Sequence, residues 1–201
     1  SAALENSPYT IKATVTPGVA SAGQSAINTT LDSVRADNIS YARVTVALVD
    51  SFRNAAPGVT LTWQSEDEGV QFSESGSTTA ADGHATVRVR STRSGVMTIS
   101  AIIHSGTPFT LCCARVTFLP GEATKMRIVS GDGLVGNVGT ALRDSLAVQV
   151  FDSLNNPIPQ SVVSFTVQSG GGLFLESQKI TQTDTTDANG IARVFLILGK
   201  Q

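Results

Sequence analysis

The residue types suited to chemistry are few in this 201-residue chain: two histidines, two adjacent cysteines and two small groups of carboxylates. His84 and His104 fall on different elements, and neither stands four residues from another ligand type. With Cys112 and Cys113 adjacent, no metal-site spacing is built from them. Each histidine therefore reads as a surface or turn residue. Serine and threonine abound, but no G-x-S-x-G elbow occurs, and a hydroxyl without a base and an orienting group is no nucleophile. Ser169-Gly170-Gly171-Gly172 lacks the following Lys-Ser/Thr and helix that a phosphate loop requires, so it reads as a flexible turn. No catalytic residue, cofactor-binding residue or metal ligand is assigned, and the chain is not expected to be an enzyme.

Two features keep alternatives open. Glu66-Asp67-Glu68 and the pair Asp184 and Asp187 place carboxylates in loops. Clustered at a domain end they would hold Ca²⁺ through hard oxygen ligands; otherwise they are solvated loop charge. For Cys112 and Cys113 the plain expectation is two thiols on a regular strand, Cys112 inward and Cys113 outward. A vicinal disulfide on a distorted backbone, or a reactive thiol, is the alternative.

The elements that carry these residues are strands. The chain is 41% hydrophobic and only 15% charged, and it favours the β-branched and turn-forming types of a folded all-β protein. A net charge of −2 offers no basic cluster to attract nucleic acid or an anionic membrane. The longest apolar run, Val194 to Leu198, falls far short of the roughly 20 residues of a membrane helix. No direct membrane insertion is expected. Asn28-Thr29-Thr30 and Asn38-Ile39-Ser40 satisfy a glycosylation sequon, which matters only in a secreted eukaryotic protein.

An internal repeat organises the chain. Asp50-Ser51-Phe52-Arg53-Asn54-Ala55-Ala56-Pro57 lies over Asp152-Ser153-Leu154-Asn155-Asn156-Pro157-Ile158-Pro159, and Thr78 to Gly83 lies over Thr185 to Gly190. Pro17-Gly18 recurs as Pro120-Gly121, and Pro8-Tyr9-Thr10-Ile11 as Pro108-Phe109-Thr110-Leu111. The common period of about 100 residues suits a unit that buries its own core rather than a solenoid repeat.

Within each unit, apolar side chains alternate. Ala42, Val44, Val46 and Leu48 form one inward stripe, and Leu146, Val148 and Val150 its counterpart. Val59, Leu61 and Trp63 are matched by Val163, Phe165 and Val167, which makes Trp63 and Phe165 the expected core anchors. Ala85, Val87 and Val89, matched by Ala192, Val194 and Leu196, follow a tight turn at Asp82-Gly83 and Asn189-Gly190. Met97, Ile99, Ala101 and Ile103 supply a further strand. Short strands at such intervals predict antiparallel β-sandwiches.

At these residues the sequence resembles the group 1 bacterial immunoglobulin-like repeats of invasin and intimin type. The matching features are Ala36-Asp37-Asn38, the D-x-x-x-N-x-x-P turns spanning Asp50 to Pro57 and Asp152 to Pro159, and the T-T-D-A-N-G element ending at Gly190. The first unit departs at Arg53 and Ala55, where Gly and Pro are usual, and carries an extra segment around Pro108 to Cys113. The resemblance implies tandem Ig-like domains, residues 19–121 and 122–201, with residues 1–18 as the terminal strand or tail of a preceding repeat. It implies a stalk or spacer in a bacterial cell-surface or secreted adhesin-like protein that mediates cell contact. The expected partners are neighbouring Ig-like domains of the same chain. In the alternative, one domain itself binds a host receptor or another bacterial cell, as in plasmid-encoded, conjugation-associated Ig-like proteins. The short linker Leu119 to Ala123 predicts an extended, semi-rigid pair. The second unit is expected to be C-terminally incomplete, exposing Phe195 and Ile197, and residues 8 to 17 to be available to fill a strand position in a neighbouring molecule.

Overall fold

A computed structural model describes residues 16–30, 33–73 and 77–199. The strand expected over Tyr9 to Thr16, and its exchange between molecules, therefore fall almost wholly outside the described residues. In chain order the strands are β1 (Ala26–Thr29), β2 (Ser33–Arg35), β3 (Ala42–Ala47), β4 (Thr60–Gln64), β5 (Val70–Ser73), β6 (His84–Ser91), β7 (Gly95–His104) and β8 (Phe109–Leu119). Beyond them lie β9 (Lys125–Ser130), β10 (Leu146–Phe151), β11 (Val162–Thr166), β12 (Leu173–Phe174), β13 (Thr181–Thr185), β14 (Ile191–Val194) and β15 (Leu196–Ile197).

Up to Leu119 the strands make two four-stranded sheets, β1-β3-β6-β5 and β2-β8-β7-β4. Alternation along each strand sends one set of side chains between the sheets. Val44 and Val46 of β3 and Val87 and Val89 of β6 meet Leu61 and Trp63 of β4 and Ile99, Ala101 and Ile103 of β7 in one buried core. Each such aliphatic side chain contributes about 1.5–3 kcal/mol by leaving water. The all-β sandwich is thus built by the alternation visible in the sequence, although one ladder, β2 with β8, is parallel rather than antiparallel.

The cysteine expectation fails at β8. Its register with β7 passes from Ile99 opposite Ala114 to Ala101 opposite Leu111, so Cys112 and Cys113 together oppose Ser100. This bulge slips the alternation by one residue. Leu111 and Ala114 take the buried positions, both cysteines stand exposed, and the two are joined as a vicinal disulfide.

Beyond the linker, β14-β10-β9, β11-β13 and β12-β15 form three smaller sheets. Val150, Val163 and Ala192 are buried in a second core, with Val148, Ile158 and Phe165 packed against it. Trp63 is buried in the first core. Phe165 is half-buried in the second, its ring edge-on to Phe174 at 6.3 Å. Of the expected stripe Leu146, Val148, Val150, Val150 is buried and Val148 packs against the second core, whereas Leu146 is only half-buried and its neighbour Ala147 is buried; the register against β9 skips Val129 opposite the Ala147–Val148 step. Phe195 is partly exposed, while Ile197 pairs with Leu173 and bridges to Ala141.

Two buried threonines tie loop to loop. Thr79 Oγ1 donates to Ala56 O at 2.7 Å and accepts from Val59 N–H at 3.0 Å. Thr186 Oγ1 donates to Ile158 O at 2.7 Å and accepts from Ser161 N–H at 2.8 Å. Thr186→Val keeps the shape and leaves both partners unsatisfied, so it should lower stability by about 1–3 kcal/mol in denaturant titration. An unchanged midpoint would show that water replaces the hydroxyl.

Candidate functional site at the Asp50 and Asp152 turns

The repeated polar turns, rather than any cavity, gather the unusual buried polar groups. Asp50 and Asp152 are each only 2% exposed, at the ends of the hydrogen-bonded strands that contain Val46 and Val150. A buried carboxylate persists only where donors replace its water. Asp50 Oδ1 accepts from the N–H groups of Phe52 and Asn54, each at 2.9 Å, and Oδ2 accepts from Gly18 N–H at 3.0 Å and Asn54 Nδ2 at 3.0 Å. Asp152 repeats the set: Leu154 N–H at 2.9 Å and Asn156 N–H at 2.8 Å on Oδ1, and Gly121 N–H and Asn156 Nδ2, each at 2.9 Å, on Oδ2.

The surrounding backbone repeats as well. Leu48 N–H donates to Gly83 O and Val150 N–H to Gly190 O, both at 2.8 Å. Gly83 and Gly190 have positive φ, and a Cβ added at either would lie 2.4 Å from Leu48 O or 2.7 Å from Val150 O, so only glycine lets these turns close against the strand. Arg53 and Asn155 occupy the left-handed region at φ 66° and 67°. Arg53 thus adopts the conformation that a glycine takes without cost, and its Nε donates to Gln24 Oε1 at 3.1 Å. Pro57 and Pro159 stand exposed in the turns that follow.

The carboxylates are held in their charged forms. The Asn54 side chain, then the Gly18 amide, hold Asp50 down at about 2 from an ordinary 3.8. Burial pushes Asp152 up, but the Gly121 amide and the Asn156 side chain outweigh it and leave its pKa lowered.

Asn156 carries the contact that joins the two halves. It is 5% exposed, and its side chain reaches the β6–β7 turn: Oδ1 accepts from Ser94 N–H at 2.8 Å, and Nδ2 donates to Thr92 O at 3.0 Å. A cleft between the halves is lined by Glu68, Arg93, Ser94, Asn155, Asn156 and Pro157. The same turn that grips the linker through Asp152 therefore grips the first sandwich through Asn156. The sequence shows Asn156 only as a member of the repeated D-x-x-x-N-x-x-P turn; its alignment with Asn54 was the available signal of its role.

The other chemistry-bearing residues are dispersed. Asp67 Oδ2 accepts from Thr98 N–H at 2.6 Å, and Glu68 pairs with Arg93. Asp184 accepts from Arg193 N–H at 2.6 Å, and Asp187 pairs with the Arg193 guanidinium at 3.1 Å. Among the described residues, no three His, Cys, Asp or Glu side chains converge as a metal site. His84 Nδ1 lies 3.0 Å from Asp82 O, and His104 Nε2 lies 3.1 Å from Thr62 Oγ1, both exposed and on different four-stranded sheets. No described helix is long and apolar enough to cross a membrane.

Residues 24–118 match the bacterial Ig-like domain (group 1) family model. This segment is a group 1 bacterial Ig-like domain. The fold of the chain is similar to that of InvD from Yersinia pseudotuberculosis, at 20% identity and a TM-score of 0.55, with 88% of this chain covered and 54% of that one. It is also similar to invasin, a bacterial integrin-binding protein, at 15% identity and a TM-score of 0.57, with 91% and 36% covered. The chain thus spans about half the length of the InvD structure and about a third of the invasin structure. No curated protein sequence matches it.

A carboxylate with a lowered folded pKa adds stability that is complete above its unfolded value and lost as pH falls through its folded one. Asp50 should therefore cost stability between about pH 4 and pH 2, and Asp50→Asn should flatten that limb of the melting-temperature profile; an identical acid limb would remove the assignment. Arg53→Gly should raise stability by about 1 kcal/mol, read by denaturant titration, because glycine relieves the left-handed backbone. A fall would mean that the Gln24 contact outweighs it.

Proposed function

We propose that the chain is a spacer: two Ig-like domains, residues 19–121 and 122–201, in tandem within the stalk of a bacterial surface or secreted adhesin-like protein, with residues 1–18 belonging to a preceding unit. The reading is supported above all by the junction. Gly121, in the linker, is bonded to Asp152, and Asn156 is bonded to the Thr92–Ser94 turn. Such a joint resists bending. The group 1 Ig-like match and the shared fold of InvD and invasin support placement in a surface protein of that kind. The mechanism is mechanical: each sandwich is closed on its own core, and the polar joint sets the angle between them.

The test reads rigidity and binding separately. In ¹⁵N relaxation, residues 19–121 and 122–199 should tumble as one body, and Asn156→Ala should give them distinct correlation times while leaving the stability of the first half unchanged; the second half loses one donor to Asp152. Two independent correlation times in the unaltered chain would defeat the rigid spacer. Binding of the isolated chain to host or bacterial cells, in competition with the intact protein, would instead make one of the domains a recognition module.

A further inference from the structure

The two turns differ above all in cover: Asp152's is covered and Asp50's is bare. Asn156 is 5% exposed, whereas its counterpart Asn54 is exposed. Leu154 is 44% exposed, whereas its counterpart Phe52 is 84% exposed. The four donors that meet each carboxylate recur in both turns, down to Gly18 on Asp50 Oδ2 and Gly121 on Asp152 Oδ2. Asn54 Nδ2 donates to both Asp50 oxygens, at 3.0 and 3.3 Å, and among the described residues no donor meets its Oδ1. In Asn156 that same oxygen receives Ser94 N–H.

We propose that the Asp50–Asn54 turn, with Phe52 beside it, is a docking surface for the β6–β7 turn of another Ig-like unit of this kind placed ahead of residue 16. The proposal rests on the spacer reading and extends it from one joint to the next. The occupant is specified by the joint already present. Asn156 recognises a backbone carbonyl and a backbone N–H two residues apart, offered by a turn that the buried Ser91 holds through bonds from Arg93 N–H and to Arg93 O, each at 2.9 Å. Recognition through backbone groups needs the turn's shape and not its side chains. Any unit that keeps a serine at the place of Ser91 presents the same pair of groups. The exposed Phe52 ring adds apolar area that such a neighbour would cover, as Leu154 is partly covered in the second half.

The test extends the present chain at Thr16 by a further copy of residues 19–118, so that Phe118 of the added copy leads into Thr16-Pro17-Gly18 as it leads into Leu119-Pro120-Gly121. The Ser94 amide of the added copy should exchange about tenfold more slowly than in Asn54→Ala, the loss expected for one hydrogen bond. The Asn54 side-chain amide signal should move from its place in the unextended chain and return to it when Ser94→Pro removes the N–H from the added copy alone. Asn156→Ala is the reference at the second joint. If it frees its own Ser94 amide while Asn54→Ala and Ser94→Pro change nothing, the docking surface is refuted and the spacer reading stands. If neither asparagine matters at its joint, both are overturned.

Discussion

A carboxylate buried at the end of a strand sets the terms for everything around it. Asp152 has lost its water, so each of its oxygens must be met by a donor, and the donors come from its own turn and from Gly121 in the linker. The linker is thereby fixed to the second half at its first residues. Asn156, held by the same carboxylate, is left in a single orientation, with an oxygen and an N–H directed at the first sandwich. One ion determines a turn, a linker and a joint.

The apolar and polar parts of the molecule divide these tasks by their physics. Burial between the sheets is large and non-directional, and it makes each half stable without specifying how the halves meet. Hydrogen bonds add little net stability each but demand particular distances and angles, so a joint made of them specifies orientation. A spacer needs both: domains that resist opening, and a connection that resists bending. The joint's use of main-chain groups on the Thr92–Ser94 side also explains how a stalk of divergent repeats would keep one geometry while surface residues change.

The sheets were the most legible part of the sequence. The stripes Ala42 to Leu48, Ala85 to Val89 and Met97 to Ile103 are buried as alternation requires, because both faces of a sandwich strand see different solvents. Alternation misled where the backbone leaves the period of two. At Cys112-Cys113 an extra residue opposes Ser100 and turns both side chains outward, and in β9 an extra residue, Val129, interrupts the register against Ala147 and Val148. Bulges arise from how two strands fit each other, and neither strand alone announces them. The parallel pairing of β2 with β8 is of the same kind, since pairing partners far apart in sequence leave no local mark.

The polar turns divide the same way. Sequence alone placed Asp50 over Asp152, Asn54 over Asn156 and Gly83 over Gly190, because a backbone with positive φ, and a carbonyl that an added Cβ would meet at 2.4 or 2.7 Å, leaves glycine as the only residue that fits, and turn chemistry is local. What those aspartates and asparagines do was decided by tertiary structure. The Asp152 carboxylate reaches Gly121 across 31 residues, and Asn156 reaches Ser94 across 62, so the role of each depends on a surface that only folding brings to it. Two asparagines alike in sequence and in turn geometry thus end up in different states, one buried in a joint and one exposed, because burial belongs to the neighbour and not to the residue.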